Sequence, residues 1–344
     1  MASRKQLVRD LMQNQLNQTL ASPHTELRTI KISFYLNSVT WALLFFSIFS
    51  LAGRWLWGAE LASHFKWQYF LLSLGLCFVF LWVRNFKYVA LNFVILFINV
   101  YDIAPLFSQN EISIKSHQEL NLTIVQFNRY IDNLQNHKII QWLSNKENKF
   151  DIILIHEINS KFVQDLKNLD TIYPHQYITP YKGNFGQALL SKKEIIKVRL
   201  KPSFDKASSY LTADILLSKT HNLKLYGIHA MSPETPKSAT MRNEQLDRIA
   251  KSISNDPSKT KIAMGDFNVT PYSYYFSRFE KTMGLKNTMK GFGPQNSWPS
   301  LSPLAIFRIP IDHIFVSKNV RVVDRIIGDN FGSDHFPVIL KLSL

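Results

Sequence analysis

Three uncharged apolar stretches follow one another in the first third of this 344-residue chain, at 34–52, 67–83 and 88–106. Each is about 17–19 residues long, close to what a helix needs to cross the hydrocarbon core of a bilayer. None contains Lys, Arg or Glu, and the one carboxylate, Asp102, sits near an end. Asn37, Thr40 and Asn92 can be accommodated between packed helices. Trp55, Trp57, Trp67, Tyr69 and Tyr88 lie at the flanks, where aromatic belts form. A buried hairpin of a soluble domain does not explain three such runs, and a cleaved signal peptide would begin earlier and stand alone. The pattern predicts a three-helix membrane anchor over 34–106.

Basic residues set the expected orientation. The tail over 1–33 carries Arg4, Lys5, Arg9, Arg28 and Lys31, and the loop RNFK at 84–87 carries Arg84 and Lys87. The first loop has only Arg54 and Lys66, with Glu60 between them. Tail and second loop are therefore expected inside, and three crossings put everything after Leu106 on the outer side. The net charge of +15 is shared unequally, with +10 of it on 106–344. A basic globular domain favours polyanions such as nucleic acid or acidic membrane surfaces, although lysine-rich surfaces also serve solubility alone. Cys77 is the single cysteine, so an intrachain disulfide is excluded.

Residues 107–119 are mostly polar and aperiodic and read as a linker. From 120 to 344, short apolar runs alternate with amphipathic stretches. LTIVQF (122–127), FDIILIH (150–156), YLTADILLS (210–218), LKLYGIHA (223–230), KIAMGDF (261–267), IDHIFVS (311–317) and FPVILKL (336–342) read as strands. Helices are expected over 131–148, 158–169 and 238–254. Strands interleaved with helices indicate an α/β sandwich, and about 225 residues suffice for a sizeable core.

Polar residues recur at the ends of these apolar runs. They are Asn128, Glu157, His229, Asp266 with Asn268, Asp312 with His313, and Asp334 with His335. Acids at buried strand ends are costly unless paired or metal-bound. Hard divalent cations want carboxylate and amide oxygens, which Glu157, Asp334 and Asn128 supply. His335 with Asp312 could polarise water or bond a phosphoryl oxygen. Asp266 and Asn268, two apart, face one side of an extended segment. His156, His175, His221 and His313 are read as surface or supporting residues, and Gly186, Gly265 and Gly332 as turn residues.

The segments FN, HE, IH, GDFN, IDHIF and GSDHFPV, in this order, resemble the endonuclease/exonuclease/phosphatase superfamily over roughly 120–344. The chain also resembles a membrane-anchored bacterial subgroup of it, through SHFKWQY (63–69), NFGQALLSK (184–192) and SWP (297–299). The resemblance implies a four-layer α/β sandwich, two mixed sheets flanked by helices, here preceded by the three transmembrane helices. It implies Mg²⁺- or Mn²⁺-dependent cleavage of phosphoester bonds, in nucleic acid or in a phospholipid of the sphingomyelin type. By it, Glu157 is the principal metal ligand with Asn128 and Asp334, and His229 contacts the scissile phosphate. Asp266 and Asn268 align the attacking water and stabilise the transition state, and Asp312 orients His335. Either His335 or Asp266 serves as the base. Tyr130 stands where some nucleases of the family carry a second acid, which argues against a second metal there. The implied location is a bacterial inner membrane with the catalytic domain on the periplasmic side, the bilayer and a phosphoester substrate as partners and no obligate protein partner. The alternative is an inactive, membrane-tethered binding module on the same scaffold.

Overall fold

The computed structural model describes residues 6, 23–108, 120–181, 183–203, 209–219 and 221–344. Arg4, Lys5 and Arg9 of the tail and positions 109–119 of the linker lie outside the described residues. Two compact units result, one from Tyr69–Ile98 with the chain up to Ile48, the other from Phe49–Gln68 with Asn99–Leu344.

The first unit is helical. It draws on α1 (Pro23–Phe49), α3 (Lys66–Trp82) and α4 (Phe86–Ile103), whose buried Leu43, Leu76, Phe80, Val89 and Ile95 pack together. Asn92 Nδ2 donates to Thr40 Oγ1 at 3.3 Å, a polar contact between helices. Phe78, Trp82, Phe93 and Phe97 point outward and exposed, a pattern suited to lipid rather than water. Two helical stretches, Lys31–Ala52 and Phe86–Phe107, are long and apolar enough to cross a membrane. The expected middle span departs from this. Its helix α3 has 17 residues and joins α2 (Trp57–Ser63) through a 58° bend. Three crossings thus rest on two clear spans and one broken helix pair.

In the second unit, strands form where apolar residues alternate. β1 (Asn121–Asn128), β2 (Ile152–His156), β3 (His175–Thr179), β4 (Gln187–Ser191), β11 (Arg321–Ile327) and β12 (Val338–Ser343) make one six-stranded sheet, ordered β11-β12-β1-β2-β4-β3. The other runs β5-β6-β7-β8-β10-β9, from β5 (Glu194–Pro202), β6 (Ser209–Ser218), β7 (His221–His229), β8 (Lys261–Asp266), β9 (Lys286–Asn287) and β10 (Asp312–Val316). Each sheet is mixed, with one parallel pair at its centre, β1 with β2 and β7 with β8.

Side-chain alternation sorts each strand between two layers. Ile124, Leu154, Met264, Ile314 and Leu340 pack between the sheets. Val125, Phe127, Ile153 and Ile155 face the outer layer containing Phe162 and Leu166 of α6 (Ser160–Leu166) and Ile139 and Leu143 of α5 (Asn136–Ser144). Tyr226, Ile228, Ala263 and Phe315 meet Leu246 and Ile249 of α7 (Pro236–Ser254) and Phe276 and Phe279 of α8 (Tyr274–Met283). The result is helix, sheet, sheet, helix. Helix α7 starts at a capping box between Thr235 and Ser238 with Pro236 in its first turn. Helix α8 stops at Gly284, whose φ of 71° suits a residue without Cβ.

Residues 49–68, assigned above to the anchor, belong with the sandwich. Hydrophobic spacing could not reveal the polar contacts of this segment, such as Glu60 with Arg242 and Gln68 with the Arg308 carbonyl.

Candidate active site

The inter-sheet faces of the central strands end in polar residues at one rim. On β1 the inward series Ile124, Gln126, Asn128 runs from core to rim, and on β8 it is Ile262, Met264, Asp266. The parallel registers place Asn128 opposite His156 and His229 opposite Asp266. Asp312 opens β10 directly across from Asp266. The same alternation turns His313 to the other face, where its Nε2 meets the Val269 carbonyl at 2.8 Å and the tilted Phe276 ring packs against it at 4.7 Å.

Three residues at the rim have left-handed backbone: Glu157 with φ 63°, Tyr130 with φ 63° and Asn268 with φ 50°. Such conformations cost free energy in non-glycine residues and concentrate at functional sites. At Glu157 the turn aims the carboxylate back over β1, where Oε2 accepts from the Ile131 amide at 2.7 Å. Arg129 holds that turn by donating to the Glu157 carbonyl at 2.7 Å. Gly265 is in a strand rather than a turn: a Cβ there would lie 1.7 Å from the Ile228 carbonyl oxygen. Only glycine lets β7 and β8 come together just beneath His229 and Asp266.

The candidates converge. Asn128 Nδ2 donates to Glu157 Oε1 at 3.0 Å and to Asp266 Oδ2 at 3.1 Å. His229 Nε2 lies 3.9 Å from Glu157 Oε1 and 3.7 Å from Asp266 Oδ2. His335 Nε2 stands 3.7 Å from that same Asp266 oxygen and 3.9 Å from Asp334 Oδ1. Its Nδ1 is 2.8 Å from Asp312 Oδ2. Asp312 Oδ1 accepts from Gln126 Nε2 at 2.9 Å. Asn268 is placed differently. Its backbone N–H donates to Asp266 Oδ1 and its side-chain amide to the Ala230 carbonyl, both at 2.9 Å.

Several supporting residues lie in segments noted in the sequence, SWP and GSDHFPV, but their roles were not legible there. Ser297 Oγ accepts from the Asp312 amide at 3.2 Å, and Trp298 Nε1 donates to Asp334 Oδ2 at 3.1 Å. Ser333 Oγ donates to the Asn128 carbonyl at 2.6 Å and accepts from the His335 amide at 2.9 Å. Gln126 could have been found, since an amide two residues before Asn128 in an apolar strand shares its face. His156 is fully buried, 5.1 Å from the His229 ring, and supports it from behind.

Burial dominates the electrostatics. It pushes Asp266 up to about 6, against the neighbouring His335 and His229 and the Asn268 amide, with Asp312 adding to the rise. Burial opposes charge on His335, but the carboxylates of Asp312, Asp266 and Asp334 overcome it and raise the imidazole to about 10. Burial also works against the Asp312 carboxylate, yet His335, Ser297 and Gln126 hold it below its ordinary value. Asp334 is raised by burial, with Glu157 and Asp312 contributing. The site thus favours an imidazolium against one ionised carboxylate, facing a second carboxyl raised by burial.

Among the described residues, one group of His and acid donors is close enough to share an ion. Asp266, Asp312 and His335 offer ligand atoms within 4.8 Å of one another. Asp312, however, already spends one oxygen on Gln126 and the other on His335. Outside that group, Asp334 Oδ1 is buried without a hydrogen-bond partner, and the charge of Glu157 adds to the burial that disfavours its ionisation. An unpartnered buried carboxylate oxygen, with a second carboxylate and an amide at the same rim, is the donor chemistry of a hard divalent cation.

The model of the Endonuclease/Exonuclease/phosphatase family matches residues 126–335, more than half of the chain. The chain belongs to this family. Comparison with curated protein sequences finds no match. Among solved structures, zebrafish (D. rerio) TDP2 in complex with a single-strand DNA product is 17% identical, with 64% of this chain and 98% of that one covered at a TM-score of 0.55. A family member from Bacteroides thetaiotaomicron is 18% identical over 66% of this chain and 99% of its own, with a TM-score of 0.51. SmcL is 18% identical over 65% and 99%, with a TM-score of 0.50. These likenesses establish the fold: two mixed sheets flanked by helices, as in other members of the family.

Proposed function

We propose that this chain is a membrane-anchored, divalent-metal-dependent phosphodiesterase whose substrate is a phosphodiester of nucleic acid or of a phospholipid. The observation that carries this reading is the buried His335–Asp312 pair, with His335 Nε2 and His229 Nε2 converging on Asp266 Oδ2 at 3.7 Å each. That separation is too long for a direct hydrogen bond, and an oxygen seated to one side of these atoms could be bonded by all three. Asp266, held by the Asn268 amide, accepts the proton of the attacking water. His335, kept protonated by its carboxylate neighbours, and His229 donate to non-bridging phosphate oxygens as negative charge builds there. The P–O ester bond opposite the attacking water breaks, and the leaving alkoxide takes a proton from solvent, to which Asp266 returns its own. Glu157 and Asp334, with Asn128 beside them, would hold Mg²⁺ or Mn²⁺. A bound divalent ion supplies Lewis-acid polarisation of a phosphoryl oxygen. The inactive binding module has no support in the geometry, since each acid–base residue has its partner in place. Glu157→Gln is expected to shift the metal-dependence curve to higher concentration and to regain part of its activity there. An unchanged curve would remove Glu157 from the metal's ligands.

Three crossings are the reading favoured for the anchor. Phe49–Gln68 and Asn99–Leu344 form one compact unit, and on this reading both lie on one side of the bilayer. The chain between Gln68 and Asn99 then crosses an even number of times, so α3 and α4 cross together or not at all. Phe86–Phe107 has the length and apolarity to cross, so α3 crosses with it despite its 17 residues. With α1 and a basic tail inside, the sandwich lies outside the cytoplasm, periplasmic in a bacterium. An alkaline phosphatase fused after Leu344, active only outside the cytoplasm, is expected to be active. Activity of a cytoplasm-only reporter at that position would overturn the topology.

A further inference from the structure

Glu60 is the one acid in the loop between α1 and α3, and it is buried to 1% exposure beside Arg242, which is 0% exposed. Arg242 Nη2 donates to Glu60 Oε1 at 2.5 Å, and Ser273 Oγ donates to the same oxygen at 3.0 Å. The other arm of the guanidinium, Nη1, donates to the Asn268 carbonyl at 2.6 Å. Asn268 in turn donates its amide to Asp266 Oδ1 and its side chain to the Ala230 carbonyl. A continuous run of hydrogen bonds therefore leads from the anchor loop to the carboxylate assigned as base. Two further contacts seat the same loop on the segments flanking the site. His64 Nδ1 meets Thr270 Oγ1 at 2.9 Å, and Trp57 Nε1 donates to the Pro233 carbonyl at 2.9 Å, four residues past His229.

From this chain of contacts we infer that Glu60 is a positioning residue of the active site, holding the Asp266–Asn268 turn in register through Arg242. The anchor loop thereby completes the catalytic unit as well as tethering it. The physical need is plain. Asn268 has φ 50°, a conformation that persists only when its surroundings over-determine it. The Asn268 carbonyl is held by a guanidinium, and that guanidinium is buried, so it must be paired to stay charged and oriented. The carboxylate that pairs it comes from the membrane-anchor loop, more than 180 positions earlier in the chain. A sandwich cut free at the linker keeps Arg242 and loses its partner.

This inference rests on the phosphodiesterase reading for its kinetic readout, so the test also carries one that does not need activity. The full-length chain in detergent is compared with Glu60→Gln and with the paired replacement Glu60→Leu plus Arg242→Met. An apolar pair of similar volume removes the buried charges together, which often leaves a fold intact. Hydrolysis of bis(p-nitrophenyl) phosphate reports kcat and KM, and hydrogen exchange reports the backbone of residues 266–270. Both variants are expected to lose roughly 10- to 100-fold in kcat with KM within about twofold, because displacement of a reacting group lowers turnover rather than binding. Exchange should quicken at 266–270 and stay slow in β1 and β12. A purely structural role makes the opposite forecast: the paired replacement recovers both melting temperature and kcat, and that result would overturn the inference. Unchanged kcat and unchanged exchange in Glu60→Gln would overturn it too, even if the paired variant did not fold. If the unaltered chain fails to hydrolyse the probe, the functional reading falls, while exchange at 266–270 still decides the link.

Discussion

Turnover is expected to fall by about 10²–10⁴ when His335 is replaced by alanine, the usual cost of a lost acid–base partner. Asp312→Ala should cost a similar factor, because Asp312 holds His335 Nδ1 at 2.8 Å and is the largest of the influences that keep the imidazole charged. The double replacement should cost little more than the worse single one, since residues acting as a unit are not additive. Asp312 also occupies the centre of a small network, with Gln126 on its other oxygen and Arg325 donating to its carbonyl at 3.2 Å. Folding must therefore be checked by circular dichroism alongside turnover at saturating metal. Strict additivity of the two single losses would break the proposed pair. A fully active His335→Ala would end the mechanism.

Asp266→Asn should be at least as damaging, because the substituted amide cannot accept the proton of the attacking water. The change keeps the shape of the side chain and removes only the base. Its effect should be read together with the pH dependence of the unaltered enzyme. Asp266 acts as a base only when ionised, and burial pushes its carboxyl up to about 6, so activity falls as pH drops through that region. His335 acts as a donor only when protonated, and its carboxylate neighbours raise it to about 10, so activity also falls as pH rises through that value. The expected profile is a plateau between these limbs. A bound divalent cation adds positive charge nearby and moves both limbs to lower pH. In Asp266→Asn the acidic limb should disappear from the residual rate. A residual rate that kept the same acidic limb would assign the base elsewhere.

Much of the site was legible because its residues interrupt otherwise apolar strands. Asn128, Glu157, His229, Asp266, Asp312, Asp334 and His335 each sit at or beside the end of such a run, and the fold gathers those ends at one rim. The alternation of β10 also explains why Asp312 enters the site while its neighbour His313 does not. The strands that escaped notice lie mostly away from the sheet centres. β5 and β11 are sheet-edge strands rich in charge, with the sequences EIIKVRLKP and RVVDRII, and so lack a continuous apolar run. β3 is the other edge of its sheet, and β4 is only five residues long. Helix α8, YYFSRFEKTM, reads as mixed aromatic and charged sequence, and its buried stripe of Phe276, Phe279 and Met283 covers a single face.

The least legible feature was long-range polar pairing. Nothing in the spacing of Glu60 within RWLWGAELAS connects it with Arg242, because the pairing exists only once two distant segments are folded together. The same holds for Trp298 and Asp334, and for Ser297 beneath Asp312. Such contacts stabilise through geometry and desolvation rather than through periodicity, and periodicity is what a single sequence displays. The consequence for the boundary of the catalytic unit is concrete. Removing the partner of a buried charge costs about 3–5 kcal/mol, so a fragment starting after the linker is expected to melt earlier than the full chain.

The most direct measurement is hydrolysis by the purified full-length protein in detergent, with single-stranded DNA, double-stranded DNA, RNA, sphingomyelin and phosphoinositides offered separately. Each is assayed with Mg²⁺, with Mn²⁺ and after exhaustive chelation. The expected result is cleavage of a phosphodiester in at least one of these substrates, abolished by chelation and restored by adding the metal back. Full activity after chelation, or no cleavage of any phosphodiester by a folded protein supplied with metal, would contradict it.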